Sequence, residues 1–340
     1  MPPTPLRSPT LFQPARAVVV LVGLGLLALT ALAIALSVGS VAIDVAAVWS
    51  ALEGTGTGTA ADIVRELRLP RALAALATGG LLALAGSMLQ VLLRNPLADP
   101  YILGTSGGAA AGALAAMLAG AAASIMPAAF AGALLSTLLV FGLARAHGER
   151  TPWSGPRLLL TGVVVASGWG ALIALMLTLA PDAQVKGMLF WLIGDLSGAT
   201  AGLPALAALA LVLAGSLPFA RDLNVLARGE DTAAAMGVSV RTVTLALYAL
   251  ASFATAVAVT TAGTVGFVGL IVPHGLRIVL GNDQRLLLPA SALAGGTLLL
   301  LADTLARSVA APGQLPVGVV TALVGVPVFL WLLAREGARR

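Results

Sequence analysis

The run ALAALATGGLLALAGSMLQVLL, at residues 72–93, carries no charged side chain. An α-helix rises about 1.5 Å per residue, so a run of this length extends about 33 Å. That is enough to cross the hydrocarbon core of a bilayer, which is about 30 Å thick. Because lipid offers the backbone no hydrogen-bond partners, the run is predicted to be a transmembrane helix.

Similar apolar runs occur on both sides of this stretch. Of the 340 residues, 59% are hydrophobic and 10% are charged, whereas a soluble domain is about 25% charged. The sequence therefore predicts an all-α, polytopic integral membrane protein that forms one domain over residues 1–340. About ten transmembrane helices are predicted, at residues 17–38, 72–93, 102–119, 125–143, 158–179, 202–217, 243–259, 265–279, 286–305 and 317–333.

An even number of spans puts both termini on the same side of the membrane. If that side is cytoplasmic, most of the 19 Lys and Arg residues fall in inner segments, as the positive-inside rule requires. The outer segments then keep Arg65, Arg68, Arg71, Lys186 and Arg307. We expect a multi-pass protein of the inner (cytoplasmic) membrane, with the run at 17–38 retained as a helix and not removed as a signal peptide.

The second and third spans are rich in glycine, which predicts close packing between helix backbones. These glycines are Gly79, Gly80, Gly86, Gly104, Gly107, Gly108 and Gly112. In the eighth span Pro273 is expected to interrupt the helix, because proline lacks the N–H that a helix interior needs. Residues 186–197 are predicted to form a short helix at the membrane interface.

Several chemistries are excluded by what the sequence contains. The segment GTSG at residues 104–107 is similar to the motif of an intramembrane serine protease, but His274 is the only histidine within a span and is too near its inner end to serve Ser106. The chain has no cysteine, which removes thiolate metal sites, and no basic stripe for nucleic acid. It also lacks the GxxxxGK[ST] motif of ATPases. We expect no catalytic residue, metal site or cofactor.

The longest polar inner segment is RDLNVLARGEDTAAAMGVSVRT, at residues 221–242. It is either an ordinary solvated loop or a pair of short amphipathic helices that dock in the groove of a partner. The second interpretation predicts an apolar face, with Glu230 and Asp231 opposite it. The face would comprise Leu226, Ala233, Ala234 and Met236.

Five ordered segments, at residues 68–109, 226–238, 263–289, 302–307 and 315–333, carry a resemblance to a known family. The chain resembles the permease subunits of the ABC importers for ferric siderophores, heme and cobalamin. The resemblance implies ten helices per subunit and a homodimer around a central pathway. It also implies two ATP-binding subunits on the inner side and a periplasmic or extracellular substrate-binding protein on the outer side.

The resemblance also implies roles for particular residues. Residues 221–242 would couple the permease to its ATPases, through Leu226, Gly229, Glu230, Ala233, Met236 and Gly237. Arg68, Arg71 and Arg307 would lie on the outer face and meet acidic residues of the binding protein. Gly155 and Pro156 would belong to a cytoplasmic gate, and the Pro273-His274 step would shape its helix.

The expected function is therefore import of a metal chelate by alternating access, driven by ATP hydrolysis in separate subunits. The span interiors hold few ionisable groups, which argues against an ion-coupled secondary transporter, the rival of a different class. An iron chelate is expected, with heme ahead of ferric siderophore and with cobalamin as the alternative.

Overall fold

The computed structural model describes residues 13–145, 155–311 and 313–337, and all regular structure within them is helical. This confirms the all-α prediction. The α-helices are α1 (Pro14–Ser37), α2 (Val45–Glu53), α3 (Thr59–Asp62), α4 (Leu69–Leu92), α5 (Thr105–Leu118), α6 (Ile125–Arg145), α7 (Gly155–Leu179), α8 (Asp182–Ile193), α9 (Gly202–Ser216), α10 (Ala220–Leu226), α11 (Glu230–Ala235), α12 (Val240–Ala262), α13 (Val268–Leu280), α14 (Gln284–Val309) and α15 (Val317–Gly337). A π-helical turn, Ile63–Arg68, leads into α4.

The helices reproduce the predicted spans, although not all have the same length. Seven helical segments in the described part of the chain are long and apolar enough to cross a membrane. Three further apolar helices are shorter, at Thr105–Leu118, Val268–Leu280 and Val317–Leu332. Each of these ten segments overlaps one predicted span. The chain is a polytopic helical membrane protein.

Helix α4 is the centre of the bundle. In the 18-residue apolar stretch of the segment that contains α4, 89% of the residues are buried. The corresponding share is 17% for α1 and 11% for α7. Helices α9, α12, α13 and α14 surround α4. The peripheral helices therefore present their apolar side chains to lipid or to another subunit.

Glycines allow the helices of the bundle to approach one another closely, both at α4 and between α5 and α6. A Cβ at Gly79 would lie 2.8 Å from the carbonyl carbon of Gly295 in α14. A Cβ at Gly108 would likewise lie 2.9 Å from the carbonyl carbon of Gly132 in α6. Real Cβ atoms are not found that close to backbone, so only glycine permits these approaches. The predicted close packing of the second and third spans is confirmed.

The prediction that Pro273 interrupts its helix is wrong. Pro273 lies inside α13, which continues from Val268 to Leu280. Proline has no N–H to offer the carbonyl of Gly269, four residues earlier. That carbonyl instead points at the backbone of α4, where Gly86 leaves space for it. The helix continues because a neighbouring helix occupies the side from which the hydrogen bond is missing.

The predicted short helix at 186–197 begins and ends earlier, as α8, and it ends at a junction of backbones. Gly194 follows α8 with a φ of 94°, and its carbonyl accepts a hydrogen bond of 3.3 Å from the Gly318 N–H. The next residue, Asp195, donates its N–H to the Ala262 carbonyl at 2.8 Å. The ends of α8 and α12 therefore meet the start of α15, and the interfacial position of this helix stays a prediction.

Candidate functional site

Arg68, Arg71 and Arg307, which the sequence assigns to the outer side, lie together in the structure. They surround Asp303 and the end of α1, and we call these four residues with Gln314 the outer arginine cluster. The arginines are not exposed, contrary to expectation, because between 5% and 9% of each is accessible. Their guanidinium groups are used within the chain, and their role in docking a binding protein stays a prediction.

The centre of the cluster is an ion pair between Arg71 of α4 and Asp303 of α14. The Arg71 Nη2 atom lies 2.8 Å from Asp303 Oδ1, and Nε lies 2.9 Å from Oδ2, so the contact is bidentate. Arg71 Nη1 also donates to Gln314 Oε1 at 2.8 Å. Arg307 Nε lies 4.0 Å from Asp303 Oδ2. Arg71 thus joins α4 to Asp303 of α14 and to Gln314, which follows that helix.

The other two arginines complete the C-terminus of α1. Arg68 Nη1 donates to the carbonyls of Leu36 and Ser37 at 2.7 Å and 2.9 Å, and Nη2 donates to Val41. Arg307 Nη2 donates to the carbonyl of Ala35. The last carbonyls of a helix have no partner within it, and cations stabilise the negative end of the helix dipole. The cluster thus ties α1 to α4 and α14.

The segment at residues 221–242 forms α10 and α11, joined by a turn. Leu226 and Ala233 are buried against the helices of the bundle, whereas Met236 is 61% exposed. The predicted apolar face is therefore divided. Leu226 and Ala233 face the bundle, whereas Ala234 and Met236 lie at the surface. Gly229 and Gly237 have φ values of 121° and 82°, in the region that favours glycine.

The charges of this segment lie at its surface. Glu230 forms an ion pair with Arg94 at 3.5 Å, and both side chains are about half exposed. Asp231 is exposed as well. An exposed pair of this kind contributes roughly 0–1 kcal/mol to stability, so Glu230 is available to a partner at low cost.

Asn224 of α10 reaches the start of α14. Its Nδ2 donates to Asp283 Oδ1 at 2.9 Å, and its Oδ1 accepts from the Gln284 N–H at 2.8 Å. Arg285 also donates to Asp283, with Nη2 at 2.8 Å from Oδ2. Burial would raise the pKa of Asp283, but the hydrogen bonds from Arg285 and Asn224 outweigh it and hold that pKa below its ordinary value. We call Asn224, Asp283 and Gln284 the inner clamp, which sequence reasoning missed.

The remaining predicted residues are less informative. Gly155 and Pro156 are the first residues of α7, and their side-chain surroundings lie outside the described part of the structure. His274 is buried in α13, with 2% of its surface accessible. Across the ranges that the structure describes, no three His, Cys, Asp or Glu side chains are grouped to hold a metal ion.

A cavity of about 380 Å³ lies where α5, α7 and α8 meet the loop before α13. Its lining includes Tyr101, Ser106 and Thr264, beside Gly107 and Gly266. Tyr101 is held in place because its hydroxyl donates to the Val265 carbonyl at 3.0 Å. The wall offers a few neutral polar groups and no charge.

Comparison with known proteins identifies the family. The profile of the FecCD transport family matches residues 26–335. This chain belongs to the FecCD transport family. The resemblance predicted from the sequence is thereby confirmed, and the FecCD chain is a transmembrane permease of the ABC-importer type.

Curated relatives of this FecCD permease carry several substrate names. A cobalamin import system permease protein of Halobacterium salinarum is 44% identical over 286 residues, which is 83% of this chain and 76% of the relative. A hemin transport system permease protein of Yersinia pestis is 40% identical over 81% of this chain and 84% of its own. An Fe(3+) dicitrate transport system permease protein of Escherichia coli is 40% identical over 80% and 85%.

A solved structure shares the fold. It is described as an inward-facing conformation of a metal-chelate type ABC transporter, and it matches with a TM-score of 0.81 at 29% sequence identity. The match covers 93% of this FecCD permease and 99% of the solved chain. The described helices are therefore arranged as in a solved chain of an ABC transporter.

Proposed function

We propose that this FecCD permease is the membrane subunit of an ATP-driven importer that moves a metal chelate across the inner membrane into the cytoplasm. Two copies would enclose the pathway, with two ATP-binding subunits inside and a substrate-binding protein outside. The observation that carries the proposal is the inner segment, where exposed Met236 and surface-lying Glu230 project from short helices anchored by Leu226 and Ala233. An amphipathic helix of this kind fits the groove of a partner.

The charge-poor bundle supports an external energy source. The bidentate ion pair between Arg71 and Asp303 joins two helices and engages that carboxylate within the bundle. The sequence contains no phosphate-binding loop, so ATP hydrolysis would be supplied by separate subunits. Alternating access then requires that the ATPases contact the two conformations of the permease differently.

The transported chelate is proposed from chemistry and from the names of the relatives. Those relatives act on cobalamin, hemin and ferric dicitrate. The apolar spans and the neutral cavity wall suit a large, largely apolar chelate, which favours heme over ferric siderophore, with cobalamin as the alternative. Weak contacts suit a pathway, since a tight site would trap the solute.

Reconstitution in liposomes tests the proposal. The permease, its cognate ATPases and its binding protein should accumulate one of heme, a ferric siderophore or cobalamin only when ATP is present and hydrolysed. A competition between the three would identify the chelate. Uptake that follows a proton or sodium gradient without ATP would instead establish a secondary transporter.

The coupling role predicts the effect of changing two glycines. Leucine at both Gly229 and Gly237 would strain turns whose φ values are positive, since side chains resist that region. The permease should still insert, dimerise and bind ATPases, yet ATP-driven uptake should fall by at least about tenfold, equivalent to about 1.4 kcal/mol of lost coupling. Gly142→Leu is the matched control, because that glycine has open space around it. Unchanged uptake in the double variant would refute the coupling role.

The docking role predicts a dependence on salt. The outer arginine cluster sets three arginines against the single carboxylate of Asp303, so an acidic surface would be attracted to it. Raising the salt concentration from about 0.1 M to about 1 M shortens the Debye length from about 10 Å to about 3 Å, and the affinity for the binding protein should fall. At low salt, Lys186→Glu should leave that affinity almost unchanged, because Lys186 is outside the cluster. An affinity independent of salt would contradict the assignment.

A further inference from the structure

We propose that Asn224 is a positioning residue that fastens the coupling segment to α14, so that movement of the ATPases displaces α14 and, with it, the outer arginine cluster. This inference rests on the proposed ATP-driven function. It assigns a mechanical connection between the two surfaces at which partners are proposed to bind.

The first step is the chemistry of the inner clamp. Asn224 uses its amide as a donor to Asp283 Oδ1 and as an acceptor from the Gln284 N–H. Among side chains of this size only asparagine offers both functions, since a carboxylate lacks the donor at neutral pH and leucine lacks both. The two hydrogen bonds end at consecutive residues, Asp283 and Gln284. They therefore fix the direction of α10 relative to α14 as well as the distance between them.

The second step is that the partner residues belong firmly to α14. Asp283 caps that helix by accepting the Arg285 N–H at 3.0 Å, and an N-cap of this kind stabilises the first turn of a helix. Gln284 is buried, and its Oε1 accepts from the Ser87 hydroxyl of α4 at 3.4 Å. A displacement of Asn224 is therefore applied to the helix itself and not to a mobile loop.

The third step is that α14 and α4 move together. Besides the contact between Gly79 and Gly295, a Cβ at Gly80 would lie 2.9 Å from the Ala292 carbonyl oxygen, and one at Gly296 would lie 2.5 Å from the Leu76 oxygen. Helices in such close backbone contact have no space to slide by small amounts. At the outer end Arg71 and Asp303 join the same two helices.

Helix α14 therefore connects the two ends of the bundle. It contains 26 residues, which corresponds to a length of about 39 Å. The inner clamp lies at its first residues, and Asp303 and Arg307 lie in its last two turns. A force applied at Asn224 is delivered to the residues that hold the end of α1, and by reciprocity a partner bound outside would affect the coupling segment.

A reporter at the outer end tests this connection without knowledge of the chelate. The chain has no cysteine, and Val309 ends α14 with 68% of its surface exposed. In the complex with both ATPases, Val309→Cys would be labelled by a membrane-impermeant maleimide with and without ATP. The labelling rate should change on ATP addition, and Asn224→Ala should reduce that change by about 2- to 30-fold, the range of coupling effects along such networks.

Two further variants separate transmission from local folding. Asn224→Asp places a second carboxylate against Asp283 and should also reduce the response, whereas combining it with Asp283→Asn exchanges the two side chains and should restore it. Asn282→Ala is the matched control, since this exposed neighbour in the same loop is outside the clamp. ATP hydrolysis and ATPase binding, measured in each variant, should stay at the parent level.

The possible outcomes decide the matter. The proposal is overturned if Asn224→Ala keeps the full ATP-induced change in labelling rate, or if Asn282→Ala loses as much of it. It is also overturned if the exchanged pair does not restore that change. Loss of ATPase binding in Asn224→Ala would also overturn it, because the residue would then shape the docking surface only. If Asn224→Ala does not fold, the Asn224→Asp and exchanged variants carry the test. Failure of the proposed function is distinct, since the parent complex would then show no ATP-driven uptake at all.

Discussion

Replacing Arg71 with alanine is expected to destabilise the permease by about 3 kcal/mol. The change removes the bidentate contact with Asp303 and leaves that carboxylate buried, with 1% of its side chain accessible. Removal of one partner from a buried pair costs about 3–5 kcal/mol. The lower end applies here, because Arg307 Nε stays 4.0 Å from Asp303 Oδ2 and compensates part of the charge. The free energy of unfolding in mixed detergent micelles would measure the loss.

The exposed pair between Arg94 and Glu230 provides the control. Both side chains are about half exposed, so Arg94→Ala should cost under about 1 kcal/mol. If Arg71→Ala were no more destabilising than Arg94→Ala, Asp303 would have to be hydrated, and the buried cluster described above would be incorrect.

Alanine at Gly86 is expected to be comparably severe. Its Cβ would lie 2.7 Å from the carbonyl carbon of Gly269 and closer still to the oxygen. Neither helix can yield, because the contact is between two backbones at the centre of the bundle. Overpacking typically costs about 1–3 kcal/mol, and we expect about 3 kcal/mol or more here, measured as a loss of thermal stability in detergent.

The same substitution at Gly23 should act in the opposite direction. This glycine lies in α1, and no neighbouring atom comes within 4 Å of the point that a Cβ would occupy. Alanine is favoured over glycine in helices by about 1 kcal/mol. Gly23→Ala should therefore leave stability unchanged or raise it slightly. A Gly86→Ala variant as stable as Gly23→Ala would disprove the close approach of α4 and α13.

The spans could be predicted because their cause is local. An uninterrupted apolar run has to be helical in lipid wherever its neighbours lie, so the ten segments followed from the sequence. The prediction for Pro273 failed because its outcome depends on Gly86, a residue 187 positions away whose backbone faces the freed carbonyl. The rule that proline interrupts a helix considers only residues nearby in the sequence, so it cannot include Gly86.

The sites divide in the same way. Charge and topology predict that Arg68, Arg71 and Arg307 share one side of the membrane, and the structure brings them together. Their burial could not be predicted, since Arg68 and Arg307 contact carbonyls of α1 that no side-chain pattern reveals. Asp303 offered a weak signal, an acid on an apolar span four residues before Arg307. Asn224 offered none, because its partners lie at the start of α14, about 60 residues later in the chain.

The capping of α1 by Arg307 also bears on how the chain is made. The two partners are 272 residues apart, and at about 5–20 residues per second a ribosome needs roughly 14–54 s to travel that distance. During this interval the C-terminus of α1 has the bonds from Arg68 but not the one from Arg307. Products that stop before α14 would lack this hydrogen bond. The C-terminus of α1 is thus among the last parts of the bundle to be completed.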